Sequence, residues 1–298
     1  MFEERVDDPE IDTLDWLWEH VAPDVVNRRR ARTAALLTIA SEGDLNGVRG
    51  RIHTLLVGAP GTGKTVIKDW VKNNMADAHG IGPDSSEAGM KFNANAGKPG
   101  KLHMAHEGIL CAEEFEKFDK GDREAALEAM SDGYFEVDKG GVDAEFPAEV
   151  RMVAVANSMN PFSAAMGNRM DFVVHMDDYS EEETITVSTG LYDSFVDRFI
   201  REEPGHSVPV VSQYLSWVGP FRPGISSNAR EAVREAVERL VRHGDRFHGD
   251  IRQKEAYMRL AYVIAKLNYR GIEASDWVRA VDLCHPDLDA RSLFEDFL

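Results

Sequence analysis

Gly58-Ala59-Pro60-Gly61-Thr62-Gly63-Lys64-Thr65 decides how the rest of the 298-residue chain is read. A short apolar run at 52–57 precedes it and a helical pattern at 64–75 follows, so the spacing predicts a strand, a glycine-rich loop and a helix in succession. In that setting the glycines let successive backbone N–H groups turn towards phosphate oxygens at a helix N-terminus. Lys64 then reaches the β and γ oxygens, and the Thr65 hydroxyl ligates magnesium. The expected ligands are therefore ATP and Mg2+, bound across Gly58 to Thr65.

Working outward, a second apolar run at 108–111 ends in Glu113 and Glu114. Two carboxylates just beyond a buried strand suit hydrolysis, with Glu113 on the metal side and Glu114 orienting the attacking water. Further short strands are expected at 151–156, which ends at Asn157, and at 172–175, shortly after Arg169. Runs at 134–137 and 142–146 flank Asp138-Lys139-Gly140-Gly141, a hairpin signal because glycine tolerates positive φ at the turn. Helices are expected at 11–20, 24–41 and 123–131, and the Gly-, Ser- and Asn-rich stretch 80–100 reads as loops and short turns. Short apolar strands alternating with helices imply an α/β fold, a largely parallel sheet sandwiched between helices. From 180 the character changes. One charged helix is expected at 180–202, and 208–298 reads as helical with breaks at 220–224 and 244–249. The expected division is an α/β core at 1–207 and an α-helical lid at 208–298.

Composition narrows the class. A hydrophobic fraction of 43% and a charged fraction of 29% are those of a globular protein. No run approaches the ~20 apolar residues of a membrane span, and the N-terminus shows no secretory pattern, so a cytoplasmic location without membrane partners is expected. Cys111 and Cys284 stand far apart, without metal-spaced neighbours, and read as two reduced thiols. The net charge is -18 and Arg outnumbers Lys by about two to one. Such a surface suits a salt-rich cytoplasm, where screening mutes self-repulsion, and leaves room for nucleic acid only at a local basic channel.

Val21-Ala-Pro23, Gly47-Val-Arg-Gly-Arg-Ile-His-Thr-Leu-Leu-Val-Gly58, Glu113-Glu-Phe-Glu-Lys-Phe-Asp119, Asp122-Arg-Glu-Ala-Ala-Leu-Glu-Ala-Met130, Asp138-Lys-Gly-Gly-Val142, Ala154-Val-Ala-Asn157, Asn168-Arg-Met-Asp171 and Arg252-Gln-Lys-Glu255 follow one another in order along nearly the whole chain. In these segments the chain resembles the minichromosome-maintenance (MCM) helicases of the AAA+ P-loop ATPase class. The resemblance implies that Asn157 is the polar sensor near the γ-phosphate, Arg169 the arginine finger and Arg252 a second sensor on the lid. It also implies that both arginines act on a neighbouring subunit's nucleotide in a homo-oligomeric ring, usually a hexamer. The hairpin carrying Lys139 looks like the family's pore hairpin, whose lysine touches single-stranded DNA. Lys98 and Lys101 fall in a stretch that matches the family weakly, and no role is assigned to them.

Three departures stand out. Glu113 replaces the family's Asp, no counterpart of the N-terminal DNA-binding module is read before Val21, and no winged-helix tail is read in 276–298. The expectation is an MCM-like motor that translocates on DNA, with a separate DNA-binding or replication protein as a further partner. The alternatives are an AAA+ remodeller or regulator of a protein partner, and an accessory subunit of a full-length MCM ring.

Overall fold

In the computed structural model, residues 2–6, 12–44, 46–84, 87–93, 98–139, 142–160, 162, 164–196, 208–243, 251–288 and 290–297 are described. The N-terminal helices α1 (Phe2–Val6), α2 (Thr13–Trp18) and α3 (Arg29–Ala40) lead into β1 (His53–Gly58) and α4 (Lys64–Asn74). Next come β2 (Ala78–Ile81), α5 (Glu87–Met90), β3 (Phe92–Asn93), β4 (Lys98–Pro99), α6 (Lys101–Met104) and β5 (Ile109–Ala112). A 3-10 turn at Phe115–Lys117 leads to α7 (Lys120–Asp132), the strands β6 (Tyr134–Lys139), β7 (Val142–Pro147) and β8 (Arg151–Ala156), then α8 (Ala164–Gly167) and β9 (Phe172–Met176). The remainder is helical: α9 (Glu181–Phe195), α10 (Val210–Val218), α11 (Ser227–His243), α12 (Ile251–Leu267), α13 (Ala274–Cys284) and α14 (Ala290–Leu293).

Five strands form a parallel sheet in the order β2-β5-β8-β1-β9, so the expected α/β sandwich is present. Its central strands are apolar almost throughout because helices and the hairpin cover both faces. Side chains alternate strictly. Leu56, Val153 and Val155 join an apolar cluster with α3, α4, α12 and α13, while Leu55, Met152 and Ala154 join one with α7 and the β6–β7 hairpin. Leu55 and Leu56 are fully buried, each contributing about 1.5–3 kcal/mol of transfer free energy. In α4 the buried residues Lys64, Ile67, Lys68 and Val71 follow helical spacing, which turns the helix's loop end towards the carboxyl end of the sheet.

Three expectations need correction. The sheet has an unexpected fifth strand, β2, which runs into the start of the 80–100 stretch expected to be loops and short turns. Its sequence Ala-His-Gly-Ile carries little strand propensity, and only pairing with β5 makes it a strand. The helix expected from residue 24 starts at Arg29 because Asn27 and Arg28 are left-handed, with φ of 57° and 52°. Buried Arg32 ties down the segment that leads into this turn, donating to the Glu19 and Val21 carbonyls at 2.7 Å and to the Asn27 carbonyl at 3.4 Å. The C-terminal helices carry a further break between α12 and α13, where Tyr269 has φ 51°. The helix expected at 180–202 is described as Glu181–Phe195, opened by a capping box between Ser180 and Glu183. Residues 197–207 lie outside the described residues.

At the amino end of the sheet, the Asp171 carboxylate is buried and accepts from three directions: His53 N at 2.8 Å, Arg49 Nη2 at 3.1 Å and Arg259 Nη2 at 2.6 Å. It joins the start of β1, the approach to β9 and helix α12. Among the described residues no helix is long and apolar enough to cross a membrane. Cys111 and Cys284 are unpaired, and burial pushes the Cys111 thiol up to about 12.

Candidate nucleotide-binding site

Parallel register brings the candidate residues together. Val57 pairs with Ala156, and Ala112 with Ala154, so the Gly58 to Thr65 loop, Asn157 and the Glu113–Glu114 pair all leave the carboxyl end of adjoining strands. Crevices beyond that end of a parallel sheet are where such folds bind ligands. Here the crevice is a cavity of about 840 Å3, lined by the loop, Glu113, Glu114 and Asn157, by Val25 and Val26, and by Val187 and Leu191 of α9. That volume lies within the ~300–1,000 Å3 of small-molecule pockets.

The loop has the geometry that its glycines permit. Gly61 and Gly63 have φ of 89° and 93°, and a Cβ on Gly63 would stand 2.7 Å from the Tyr179 hydroxyl. Gly63 caps α4, so the first N–H groups of that helix face the cavity. Arg28 braces the loop from outside, donating to the Thr62 carbonyl at 3.2 Å and the Asp177 carbonyl at 2.6 Å while lying over the Tyr179 ring.

Lys64 is buried and donates to the Ala59 carbonyl at 2.9 Å. Desolvation lowers its pKa, and the nearby Glu116 carboxylate opposes that shift. A phosphate beside it would favour the charged ammonium that burial disfavours. The Thr65 hydroxyl donates to Glu113 at 3.4 Å, and Glu113 is ion-paired with Lys68. A hydroxyl beside a carboxylate is a hard-oxygen set that fits magnesium. Among the described residues no cluster of three or more ligating side chains exists, so such an ion would need phosphate and water to complete its shell.

Glu114 has φ 45° and ψ 47°, a left-handed conformation rare outside glycine and asparagine, and pairs with Lys117. Strained backbone of this kind concentrates at functional sites. The site residue that sequence reasoning passed over is Glu116. Its Oε1 accepts from both the backbone N–H and the side-chain Nδ2 of Asn157, at 3.0 and 2.8 Å. The Arg28 brace and the α9 wall were also missed, since both depend on contacts that cross more than 100 residues of sequence.

Arg169 lies elsewhere. It precedes β9, whose Phe172 pairs with Thr54 and whose Met176 pairs with Gly58. Four strand steps of ~3.3 Å therefore put Arg169 more than about 13 Å from the loop end of the sheet. There its Nε donates to Ser131 Oγ at 2.6 Å. The side chains of Arg252 and Lys139 lie outside the described residues. β6 and β7 pair from Tyr134↔Pro147 to Lys139↔Val142 as expected, with the turn residues 140 and 141 not described.

Strand order, loop and acidic turn define an AAA+ P-loop fold. Residues 4–172 match the MCM P-loop domain, and the chain belongs to the MCM family. It is 26% identical to an uncharacterized MCM-type protein of Methanocaldococcus jannaschii over 88% of this chain and 43% of that protein. It is 27% identical to the DNA replication licensing factor MCM6 of Oryza sativa subsp. indica over 90% of this chain and 36% of the relative. The chain thus spans less than half the length of these relatives.

Proposed function

We propose that this chain is an ATP-hydrolysing, MCM-type motor that works in the cytoplasm as a homo-oligomeric ring, of six subunits by family resemblance, on single-stranded DNA. The observation that carries the reading is the split between the two ends of the sheet. The phosphate loop, Glu113, Glu114 and Asn157 share the carboxyl end, whereas Arg169 sits at the amino end, beyond reach of its own loop. That placement supports a finger acting on a neighbour's nucleotide.

In this reading the 58–65 loop and Lys64 hold the phosphates, and Thr65 with Glu113 holds magnesium, which neutralises developing phosphate charge when bound. Glu114 orients the attacking water, Asn157 reports on the γ-phosphate, and Arg169 and Arg252 complete the adjoining subunit's site. Residues 1–207 form the core and 208–298 the lid, although α10, α12 and α13 share one apolar cluster with α2 and α3. Lys139 on the hairpin contacts the DNA backbone, and a separate DNA-binding or replication protein is a further partner.

The test is the ATPase rate of parent and Lys139→Ala with and without single-stranded DNA, at low and high salt. The variant should keep basal turnover and lose DNA stimulation, and its log affinity against log salt should flatten by roughly 0.7 per lost phosphate contact. The net charge of -18 favours one rival, a remodeller acting on a protein. An ATPase that ignores single strands in both salts would move the assignment there.

A further inference from the structure

The turn after β5 carries three carboxylates, and each has a different partner. Glu113 pairs with Lys68 and Glu114 with Lys117, while Glu116 turns to the neighbouring strand end and takes Asn157. The turn is firmly held. Phe115 and Phe118 are buried edge-to-face with centroids 5.1 Å apart, and Arg123 donates to the Glu116 carbonyl at 3.2 Å. Left-handed Glu114 opens the 3-10 turn, and within it the Glu116 carboxylate turns inward, with Oε2 buried.

The hydrogen-bond pattern is informative. One oxygen, Oε1, receives both the backbone N–H and Nδ2 of Asn157, which closes a small ring and fixes both side-chain torsions. Flipping the amide would set Oδ1 against Oε1, acceptor against acceptor, so only one orientation is compatible with Glu116. That orientation leaves one Nδ2 hydrogen and Oδ1 uncommitted on a residue that lines the cavity. The other carboxylate oxygen, Oε2, is buried and has no hydrogen-bond partner among the described residues. Native structures seldom keep such an orphan without a use for it.

We propose that Glu116 is a positioning residue, holding the Asn157 amide in the one orientation that offers a donor and an acceptor to the terminal phosphate and the attacking water. This rests on the nucleotide-hydrolysis reading of the same cavity. Its effect runs through Asn157 and adds no contact of its own to the nucleotide.

Two measurements on the full chain test it. In protein with 15N-labelled asparagine and no nucleotide, the Asn157 side-chain amide is the signal lost in Asn157→Ala. It should be protected from hydrogen exchange in the parent and in Glu116→Gln, which keeps an acceptor oxygen, and should lose protection in Glu116→Ala. Fluorescent ATP and ADP analogues then give the affinity ratio between the two nucleotides. Glu116→Ala should cut the preference for ATP roughly tenfold, the scale of one hydrogen bond to a charged group. Asn157→Ala should do the same, and the double variant should lose no more, because residues acting through one contact are not additive. A general disturbance of the turn would weaken both nucleotides alike and leave the ratio unmoved. An Asn157 signal indifferent to Glu116, or losses that add in the double variant, would overturn the proposal. A parent that binds neither nucleotide would sink the hydrolase reading instead, while the exchange data still decide whether Glu116 holds Asn157.

Discussion

The two ends of the central sheet are built on opposite plans. At the carboxyl end, Gly61, Gly63 and Glu114 all have left-handed backbone, a buried lysine faces an open cavity, and a buried carboxylate oxygen has no hydrogen-bond partner among the described residues. At the amino end, charges are packed against charges. Asp171 lies between Arg49 and Arg259, and Arg51, fully buried, donates to Asp44 at 2.8 Å and to the Ala129 carbonyl at 2.7 Å. One end holds a buried cation, Lys64, whose charged form burial disfavours and a bound polyanion would favour. The other packs carboxylate against guanidinium, with only Arg259 Nε and His53 Nδ1 buried there without a hydrogen-bond partner among the described residues.

The contrast can be broken by mutation. The largest effect is expected from Glu114→Gln, which keeps shape but cannot polarise water. Hydrolysis should fall by ~10^2–10^4-fold with ATP affinity kept, read by steady-state turnover beside equilibrium binding. Near-parental turnover would remove Glu114 from the chemistry.

Asp171→Asn should act on stability instead. Removing one charge from a buried ionic cluster leaves two guanidiniums facing each other, a loss of about 3–5 kcal/mol, measurable by urea unfolding. A loss below 1 kcal/mol, within the range typical of an exposed pair, would mean that Asp171 and its arginines do not act as a buried ionic cluster.

The smallest effect concerns pH. His53, at the start of β1, is fully buried and hydrogen-bonds the Met130 carbonyl at 3.2 Å. Burial, with Arg49 and Arg51 adding to it, holds its imidazole well below the usual range. The unfolded chain therefore takes up a proton near pH 6.5 that the folded chain refuses. Stability from this group is complete above that pH and is lost below it, by about 1.4 kcal/mol per unit. Unfolding free energies between pH 7 and 5 should fall more steeply for the parent than for His53→Gln. Equal slopes would show that the imidazole ionises in place.

What the sequence made legible follows from the same physics. Buried parallel strands need unbroken apolar runs, and the phosphate loop needs its glycines, so β1, β8, β9 and the loop could be read locally. β2 could not, because its strand character is lent by β5. The late start of α3 was hidden because Asn27 and Arg28 take positive φ to serve contacts as distant as Asp177 and Glu183. Glu116 shows the same limit at the site, for it is one acidic residue among several until Asn157, 41 positions on, folds against it.

The sheet's outer strands carry one more consequence. β2 and β9 close it with four and five residues, and β2 is only half-buried, with the Gly80 carbonyl already taken by the Lys101 ammonium at 2.8 Å. A stray strand from a second molecule would find few backbone groups to pair with and a cation lying across them. A protein so made resists the edge-to-edge zippering that begins aggregation, by denying it a template.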